Sequence, residues 1–240
     1  MATVDKNKYR RIVLKLSGEA LMGKKDSGID VKIIESIADD IKSLVTLRIQ
    51  VGIVVGGGNF FRGAMLNGHG ISRITGDHLG MVATTLNAIA MQDIFIRAKI
   101  PTKIMSALPI EGLIERYDYR RALDYLKQNF VVIFAGGTGN PLVTTDTALC
   151  LRGVELKADL ILKATNVDGV YSKDPKKNAN AKLYRKLTYD QALDEELAVM
   201  DLSAFCLGRD HKMKLRVFNI GKKGALLRII RGLDEGTLVE

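Results

Sequence analysis

The sequence predicts an α/β protein: a three-layer sandwich in which helices cover both faces of a central, mainly parallel β-sheet. Short apolar runs alternate with longer stretches of helical periodicity along the chain, as expected of strand–helix–strand crossover units. Several runs are apolar at consecutive positions, which is typical of parallel strands buried on both faces. The 240 residues are 47% hydrophobic and 26% charged, which fits one globular domain.

The elements follow from periodicity, taken from the N-terminus onward. Ile33, Ile37 and Ile41 recur at helical spacing, and this predicts a long amphipathic helix. Predicted strands cover residues 11–16, 51–55, 102–106, 131–134, 160–163, 215–219 and 237–239. Predicted helices cover residues 31–47, 77–98, 119–128, 145–155, 189–196 and 202–211, with a short one after Gly224. The polar, turn-rich residues 167–180 are predicted to form a hairpin and loop at a boundary.

Composition excludes several classes of protein. The net charge of +9 is spread along the chain, so we interpret it as solvated surface with a few cations that serve phosphates. The N-terminus is polar, and no apolar run approaches the roughly 20 residues of a membrane helix. The sequence therefore predicts neither a signal peptide nor a membrane segment. Cys150 and Cys206 lie far apart, which predicts buried thiols in a reducing cytoplasm. No metal site is predicted on the protein itself, because the three histidines lack metal-ligand spacing.

Three glycine-containing loops follow predicted strands, at residues 15–18, 56–59 and 136–141. Ligands of open parallel sheets bind at the carboxyl ends of the strands. Glycine there lets backbone N–H groups approach phosphate oxygens. One such loop would be weak evidence, since a glycine turn after a strand is often only a turn. Three of them in one small domain indicate a site for phosphate groups.

Charged side chains lie beside these loops. Lys15 stands near the end of the first strand, Arg62 follows the triple glycine, and Lys163 ends a later strand. Phosphoryl transfer depends on charge neutralisation and in-line positioning more than on covalent chemistry, and these cations suit it. Asp146 and Asp201 could orient the lysines or hold magnesium. Each of them is also the kind of residue that caps a helix or faces solvent.

As a set, these motifs resemble the amino-acid kinase superfamily and, within it, the bacterial UMP kinases. The resemblance runs from residues 9–19 to residues 235–237, and the motifs at 61–63, 76–78 and 138–141 single out this branch. It implies the amino-acid kinase fold as one domain over residues 1–240, with an acceptor (UMP) half 1–155 and a donor (ATP) half 156–240. It also implies transfer of the γ-phosphoryl group of ATP, with Mg²⁺, to UMP in pyrimidine nucleotide biosynthesis, giving UDP and ADP.

The resemblance also implies roles for single residues. Lys15 would bridge the transferring group, Asp201 would orient Lys15, and Asp146 would align a lysine or the metal. Asp77 would accept from ribose hydroxyls, and the planar fork of Arg62 would clamp phosphate. The implied ATP-binding residues are Lys15, Leu16, Ser17, Gly18, Gly58, Arg62, Thr165, Asn166, Tyr171 and Asp174. The implied UMP-binding residues are Gly57, Asp77, Thr138, Gly139, Asn140, Pro141, Leu142, Val143, Thr144 and Thr145.

The resemblance further implies a cytoplasmic homo-oligomer, expected to be a homohexamer, with UTP as an inhibitor and GTP as a candidate activator. It implies no need for a membrane or nucleic acid. Residues 23–28 match the place linked to GTP but lack the aromatic residue expected there. One alternative is a kinase that makes acyl phosphates, although Asp77 would repel a carboxylate acceptor. Another is a nucleotide-sensing or nucleic-acid-binding regulator, suggested by the +9 charge and predicting salt-dependent affinity for DNA or RNA.

Overall fold

The computed structural model describes residues 7–61, 70–197 and 199–240. Within these ranges nine strands form one sheet. The strands are β1 (Arg11–Leu16), β2 (Gln50–Val55), β3 (Thr102–Ser106), β4 (Glu115–Arg116), β5 (Val131–Ala135), β6 (Leu160–Thr165), β7 (Lys186–Leu187), β8 (Leu215–Asn219) and β9 (Thr237–Val239). The helices are α1 (Gly18–Met22), α2 (Val31–Thr46), α3 (Arg73–Arg97), α4 (Tyr119–Lys127), α5 (Thr145–Glu155), α6 (Tyr189–Asp194), α7 (Leu202–Asp210) and α8 (Ala225–Ile230).

The sheet is mainly parallel, in the order β4-β3-β5-β2-β1-β6-β8-β9-β7. Among the described strands, β8 and β9 form the single antiparallel pair. In register, Lys15 of β1 pairs with Val54 of β2 on one side and with Lys163 of β6 on the other. Because parallel strands end at the same edge, the loops after β1, β2, β5 and β6 all meet there.

Two apolar cores lie on opposite faces of this sheet. Ile12, Leu14 and Leu16 of β1 join the core under α2, α3 and α8. The alternate residue Val13 joins the other core, under α4, α5, α6 and α7. This alternation follows from the two-residue period of a strand. The predicted three-layer sandwich is therefore confirmed.

The element boundaries depart from the prediction in two places. Helix α3 begins at Arg73 rather than at Asp77, because the Ser72 hydroxyl accepts a hydrogen bond from Thr75 N and caps the helix earlier. Asp77 therefore lies inside the helix, past its first turn. The edge strands β4 and β7 were not predicted, since two residues are too few to show a strand period.

The polar segment after β6 does form a hairpin, and it is longer than predicted. Tyr171 bridges Leu183 in antiparallel fashion, and Tyr184 N donates to Val170 O at 2.9 Å. The turn-rich residues 167–180 thus make up one arm and the tip. The returning arm had too little periodicity to be recognised.

Helix α3 is long and apolar enough to cross a membrane by length and composition. This contrasts with the sequence expectation, and the packing of the helix explains the contrast. Half of its most apolar stretch is buried inside the fold, where Ala88, Met91 and Phe95 belong to the core on one face of the sheet. The helix also carries the charged Asp77 near its start. These features fit a core helix.

Candidate active site

One carboxylate lies between two ammonium groups at the centre of the sheet edge. Asp146 Oδ1 is 3.1 Å from Lys15 Nζ, and Asp146 Oδ2 is 2.6 Å from Lys163 Nζ. The register of β1 with β6 brings the two lysines side by side. Asp146 stands in the first turn of α5, where Thr144 caps the helix by accepting from Asp146 N at 3.0 Å. We call Lys15, Asp146 and Lys163 the lysine–aspartate centre.

Burial and charge act against each other in this centre. Burial by itself would raise the pKa of Asp146, but the charges of Lys15 and Lys163 outweigh it and hold that pKa below its usual value. Burial lowers the pKa of Lys163, against the attraction of Asp146 and with the help of the like charge on Lys15. Two cations on one carboxylate leave a net positive charge. Such a centre suits a bound phosphate chain.

Asp201 supports the lysine–aspartate centre indirectly, through hydrogen bonds to the start of α5. It caps α7, where its Oδ1 accepts from Ala204 N at 2.8 Å and from the Thr147 hydroxyl at 2.8 Å. Its Oδ2 accepts from the Thr144 hydroxyl. Asp201 thus ties α7 to the first turn of α5, which presents Asp146. The predicted orientation of Lys15 by Asp201 would therefore act through α5 and Asp146.

A first cleft lies on one side of the centre, between α3 and the loop after β5; we call it the α3 cleft. It brings together many of the residues predicted to bind UMP. Its lining comprises Gly57, Gly58, Phe61, Arg73, Gly76, Asp77, Gly80, Met81, Thr84, Gly137, Thr138, Val143, Thr144 and Thr145. Asp77 is held there by Arg73 Nε, 3.0 and 3.1 Å from its two oxygens, and by Leu142 N at 2.8 Å.

Helix α3 sets both walls of the α3 cleft. A Cβ on Gly57 would overlap Gly80 O and lie 2.9 Å from Ala83 Cβ, so only glycine lets the triple-glycine loop approach the helix this closely. On the other wall, Gly136 N donates to the Thr84 hydroxyl at 2.6 Å. Two glycine loops are therefore aligned against one rigid element.

A second cleft lies on the other side of the centre, along the hairpin after β6; we call it the hairpin cleft. Thr165, Tyr171 and Asp174, which were predicted to bind ATP, line it together. Its lining comprises Lys163, Thr165, Val167, Gly169, Val170, Tyr171, Ser172, Lys173, Asp174, Pro175, Lys176, Glu195, Glu196, Leu197, Val199 and Val217. Lys163 belongs to both the hairpin cleft and the lysine–aspartate centre. The centre therefore borders the hairpin cleft through Lys163 and lies next to the α3 cleft, because Thr144 and Thr145 of that cleft directly precede Asp146.

The remaining predicted residues lie elsewhere. Leu16 is fully buried in the core, so only its backbone can face a ligand. The Ser17 hydroxyl caps α1 by accepting from Ala20 N at 3.2 Å. Asn166 lines a separate groove beside α1 and α2. Arg62 falls outside the described residues. The residues of the loop after β5 that do not line the α3 cleft are Gly139, Asn140, Pro141 and Leu142.

Some cleft residues were missed by the sequence reasoning. Arg73 and Thr84 of α3 were not singled out. Arg73 could have been found as the partner of Asp77 at a spacing of four residues on one helix face. Thr84 gave no such signal, because its bond to Gly136 joins segments far apart in sequence. Lys163 was predicted as one of the cations beside the loops, but the family resemblance implied no role for it.

Two clefts lie beside a centre of two lysines and one aspartate, next to glycine loops at the carboxyl edge of a parallel sheet. This arrangement fits a protein that brings two phosphate-bearing ligands together. Residues 10–219 match the model of the amino acid kinase family. The chain belongs to that family, within the branch of the bacterial uridylate kinases.

The relatives cover the whole chain. It is 55% identical over 242 residues to the uridylate kinase of Marinobacter nauticus, with 100% of each chain covered. It is 57% identical over 232 residues to that of Coxiella burnetii, with 97% of this chain and 96% of the relative covered. Among solved structures, the UMP kinase of Bacillus anthracis aligns with a TM-score of 0.94 at 38% identity, over 97% of this chain and 96% of that one.

Proposed function

We propose that this protein is a UMP kinase that acts in pyrimidine nucleotide biosynthesis. An oxygen of the UMP phosphate attacks the γ-phosphorus of ATP, the bond from that phosphorus to the β–γ bridging oxygen breaks, and UDP and ADP are formed. The observation that carries this proposal is the place of the lysine–aspartate centre between two clefts. UMP binds in the α3 cleft, within the acceptor half 1–155, and ATP in the hairpin cleft, within the donor half 156–240.

The chain stabilises this transfer by charge and position. The ammonium groups of Lys15 and Lys163 neutralise the negative charge that shifts between the two phosphates. Asp146 holds both ammonium groups at fixed positions, 3.1 and 2.6 Å from its oxygens. The backbone N–H groups of Gly57 and Gly58 are further donors for the phosphates. Protein groups need form no covalent bond in this scheme.

Magnesium would enter this site on the phosphates of ATP. The structure describes no group of three His, Cys, Asp or Glu side chains placed to hold a metal. Both oxygens of Asp146 face lysines, and those of Asp201 accept from Thr144, Thr147 and Ala204. Mg²⁺ commonly keeps several waters and binds substrate phosphates through few carboxylates, so the donors present fit an ion carried by ATP. Once bound, it would neutralise charge on the phosphate oxygens.

Asp77 favours a ribose-bearing acceptor over a small carboxylate. It places a carboxylate in the α3 cleft, where it can accept from ribose hydroxyls and would repel an acceptor carboxylate. The acyl-phosphate alternative is less well supported for that reason.

Replacing Asp77 with asparagine is expected to raise the KM for UMP about tenfold, with kcat within about threefold of the wild-type value. The reason is that hydrogen bonds to a charged acceptor contribute about 1.5–3 kcal/mol, and the bonds to ribose exist before and during transfer alike. Steady-state kinetics with varied UMP measure this. The matched control is Asp124→Asn, which removes an exposed carboxylate paired with Lys127 on α4. An unchanged KM for UMP would show that UMP binds elsewhere.

The function itself is tested by a coupled assay on the purified protein. With UMP and MgATP we expect UDP and ADP in equal amounts. The acceptor panel includes CMP, carbamate and amino acids. If UMP yields no UDP while another acceptor is phosphorylated, the proposed acceptor is wrong.

Thr237 anchors the hairpin cleft from beneath. Its hydroxyl accepts from Val170 N at 2.8 Å and donates to Tyr184 O, so it joins the two arms of the hairpin. The side chain is fully buried. Buried polar groups that lose such a partner cost about 1–3 kcal/mol each. This hydroxyl therefore adds to the direct backbone bonds between the two arms and holds both arms against β9.

We expect Thr237→Val to raise the KM for ATP by about three- to tenfold and to leave the KM for UMP within twofold. The variant keeps the shape of the side chain but removes one hydrogen bond to each arm of the hairpin. Thr237→Ser keeps the hydroxyl and serves as the control. Equal rises in both KM values would indicate a general loosening of the fold instead.

We also propose a cytoplasmic homo-oligomer, with a homohexamer as the expected form. Large apolar side chains at helical spacing on the outer face of α3 support an interface: Val82 is 51% exposed, Leu86 45% and Ile96 55%. A row of this kind on one helix often marks a protein contact. Light scattering of the purified protein measures the state. Inhibition by UTP and activation by GTP stay predictions from the family resemblance, to be measured in the same kinase assay.

A further inference from the structure

A reciprocal pair of amides lies beneath the triple-glycine loop. Asn59 Nδ2 donates to Asn87 Oδ1 at 2.8 Å, and Asn87 Nδ2 donates back to Asn59 Oδ1 at 2.7 Å. Both residues are buried, Asn59 at 2% exposure and Asn87 at 0%. Burying amides is costly unless their donors and acceptors are paired. This pair meets that condition.

Each of the two side-chain amides uses its second N–H to donate to a backbone carbonyl in a neighbouring loop. Asn87 Nδ2 donates to Gly56 O at 2.7 Å, and Asn59 Nδ2 donates to Gly28 O at 2.9 Å. Gly28 N in turn donates to Asn59 O at 3.0 Å. The amide pair therefore ties together helix α3, the triple-glycine loop and the segment that ends at Gly28.

The loop after β1 packs directly on the same point. A Cβ on Gly18 would overlap Asn59 Oδ1 and lie 2.5 Å from Gly58 N. Asn59 is thus in contact with both glycine loops that flank Lys15. A small displacement of Asn59 would move the backbone donors of one loop relative to the ammonium group at the other.

We propose that Asn59 and Asn87 are positioning residues for phosphoryl transfer. Asn87 holds Gly56 O, and it holds the side chain of Asn59, which is bonded in turn to Gly28. These bonds fix both ends of the triple-glycine loop and so direct the backbone N–H groups of Gly57 and Gly58 toward the transferring group. Neither side chain touches substrate. The inference rests on the proposed function, because it assumes that these N–H groups face the phosphates. Preorganised donors act mainly in the transition state, and a misplacement of about 1 Å can cost up to about 10²-fold in rate.

The test replaces Asn87 with aspartate. This change keeps the shape of the side chain and removes Nδ2, whose two N–H groups donate to Gly56 and Asn59. We expect kcat with UMP and MgATP to fall at least about tenfold, with the KM for UMP within about threefold. Thr85→Val is the matched control: it also lies buried on α3, and its hydroxyl donates only within the helix, to Val82 O at 2.6 Å. The control should keep kcat within about twofold while losing a similar buried hydrogen bond.

The outcomes are separable. A variant that unfolds at lower temperature but keeps kcat within twofold of wild type would assign the pair to packing alone and overturn the proposal. If Asn87→Asp fails to fold, Asn87→Ser removes the amide with a smaller disturbance and is judged by the same criterion. A wild-type protein that makes no UDP refutes the proposed function. An active wild type with an equally active variant refutes only the positioning role.

Discussion

Replacing Asp146 with asparagine is expected to lower kcat by about 10²–10³-fold and the free energy of unfolding by about 3–5 kcal/mol. Both effects arise from one change. Lys15 is buried and Lys163 is partly buried against this carboxylate, at 3.1 and 2.6 Å. Without it, two ammonium groups share a site of low polarity and lose the one carboxylate that contacts them both, while Asp201 acts on Lys163 from farther away. The two ammonium groups then move apart or lose a proton.

The titration of Lys163 offers an independent check. Burial and the charge of Lys15 already lower its pKa, and Asp146 opposes that lowering. Removing Asp146 should lower the pKa of Lys163 further. In a plot of kcat against pH, the decline at high pH should therefore begin at a lower pH in the Asp146→Asn variant. Only the charged form of Lys163 neutralises phosphate, so kcat should fall as Lys163 loses its proton.

Acid unfolding gives the matching stability measurement. The pKa of Asp146 is lowered in the folded state, because the two lysines outweigh burial. Its stabilising contribution is therefore present above the unfolded carboxyl pKa of about 3.9 and is lost as pH falls through the folded pKa. Asp146→Asn should weaken this acid dependence. The control Asp190→Asn removes an exposed first-turn aspartate of α6 and should change little. Wild-type kcat in Asp146→Asn would contradict the proposed centre.

Replacing Lys15 with methionine is expected to lower kcat by about 10²–10³-fold, with the KM for UMP within about threefold. The ammonium group matters most when negative charge shifts during transfer, and such interactions raise kcat rather than ground-state binding. Methionine retains the buried stem of the side chain. Single-turnover kinetics with saturating substrates measure the chemical step directly.

The same variant should keep most of its stability, unlike Asp146→Asn. Without Lys15, Asp146 still pairs with Lys163 at 2.6 Å, so one carboxylate faces one ammonium and no charge is left unpaired. The exposed residue Lys127 provides the control, as Lys127→Met. A Lys15→Met protein with full kcat and a raised KM would place Lys15 in binding instead of transfer.

Local sequence signals predicted most of the fold. The helix from Val31 and the strand Leu215–Asn219 were assigned with boundaries at or within one residue of those observed. Their periods of 3.6 and 2 residues repeat within a few residues of chain. The start of α3 was misplaced because the cap at Ser72 precedes the apolar pattern. Strands of two residues are too short to carry any period.

The sequence by itself determined the layers of the sandwich, the glycine loops after the strands and the presence of cations beside them. These depend on residues next to one another in the chain. Only the tertiary structure decided that Asp146 meets both Lys15 and Lys163, and that Asn59 pairs with Asn87. Those contacts depend on the order β2-β1-β6 in the sheet and on how α3 and α5 cross its edge. Strand order is settled by packing across the whole domain, and no local pattern encodes it.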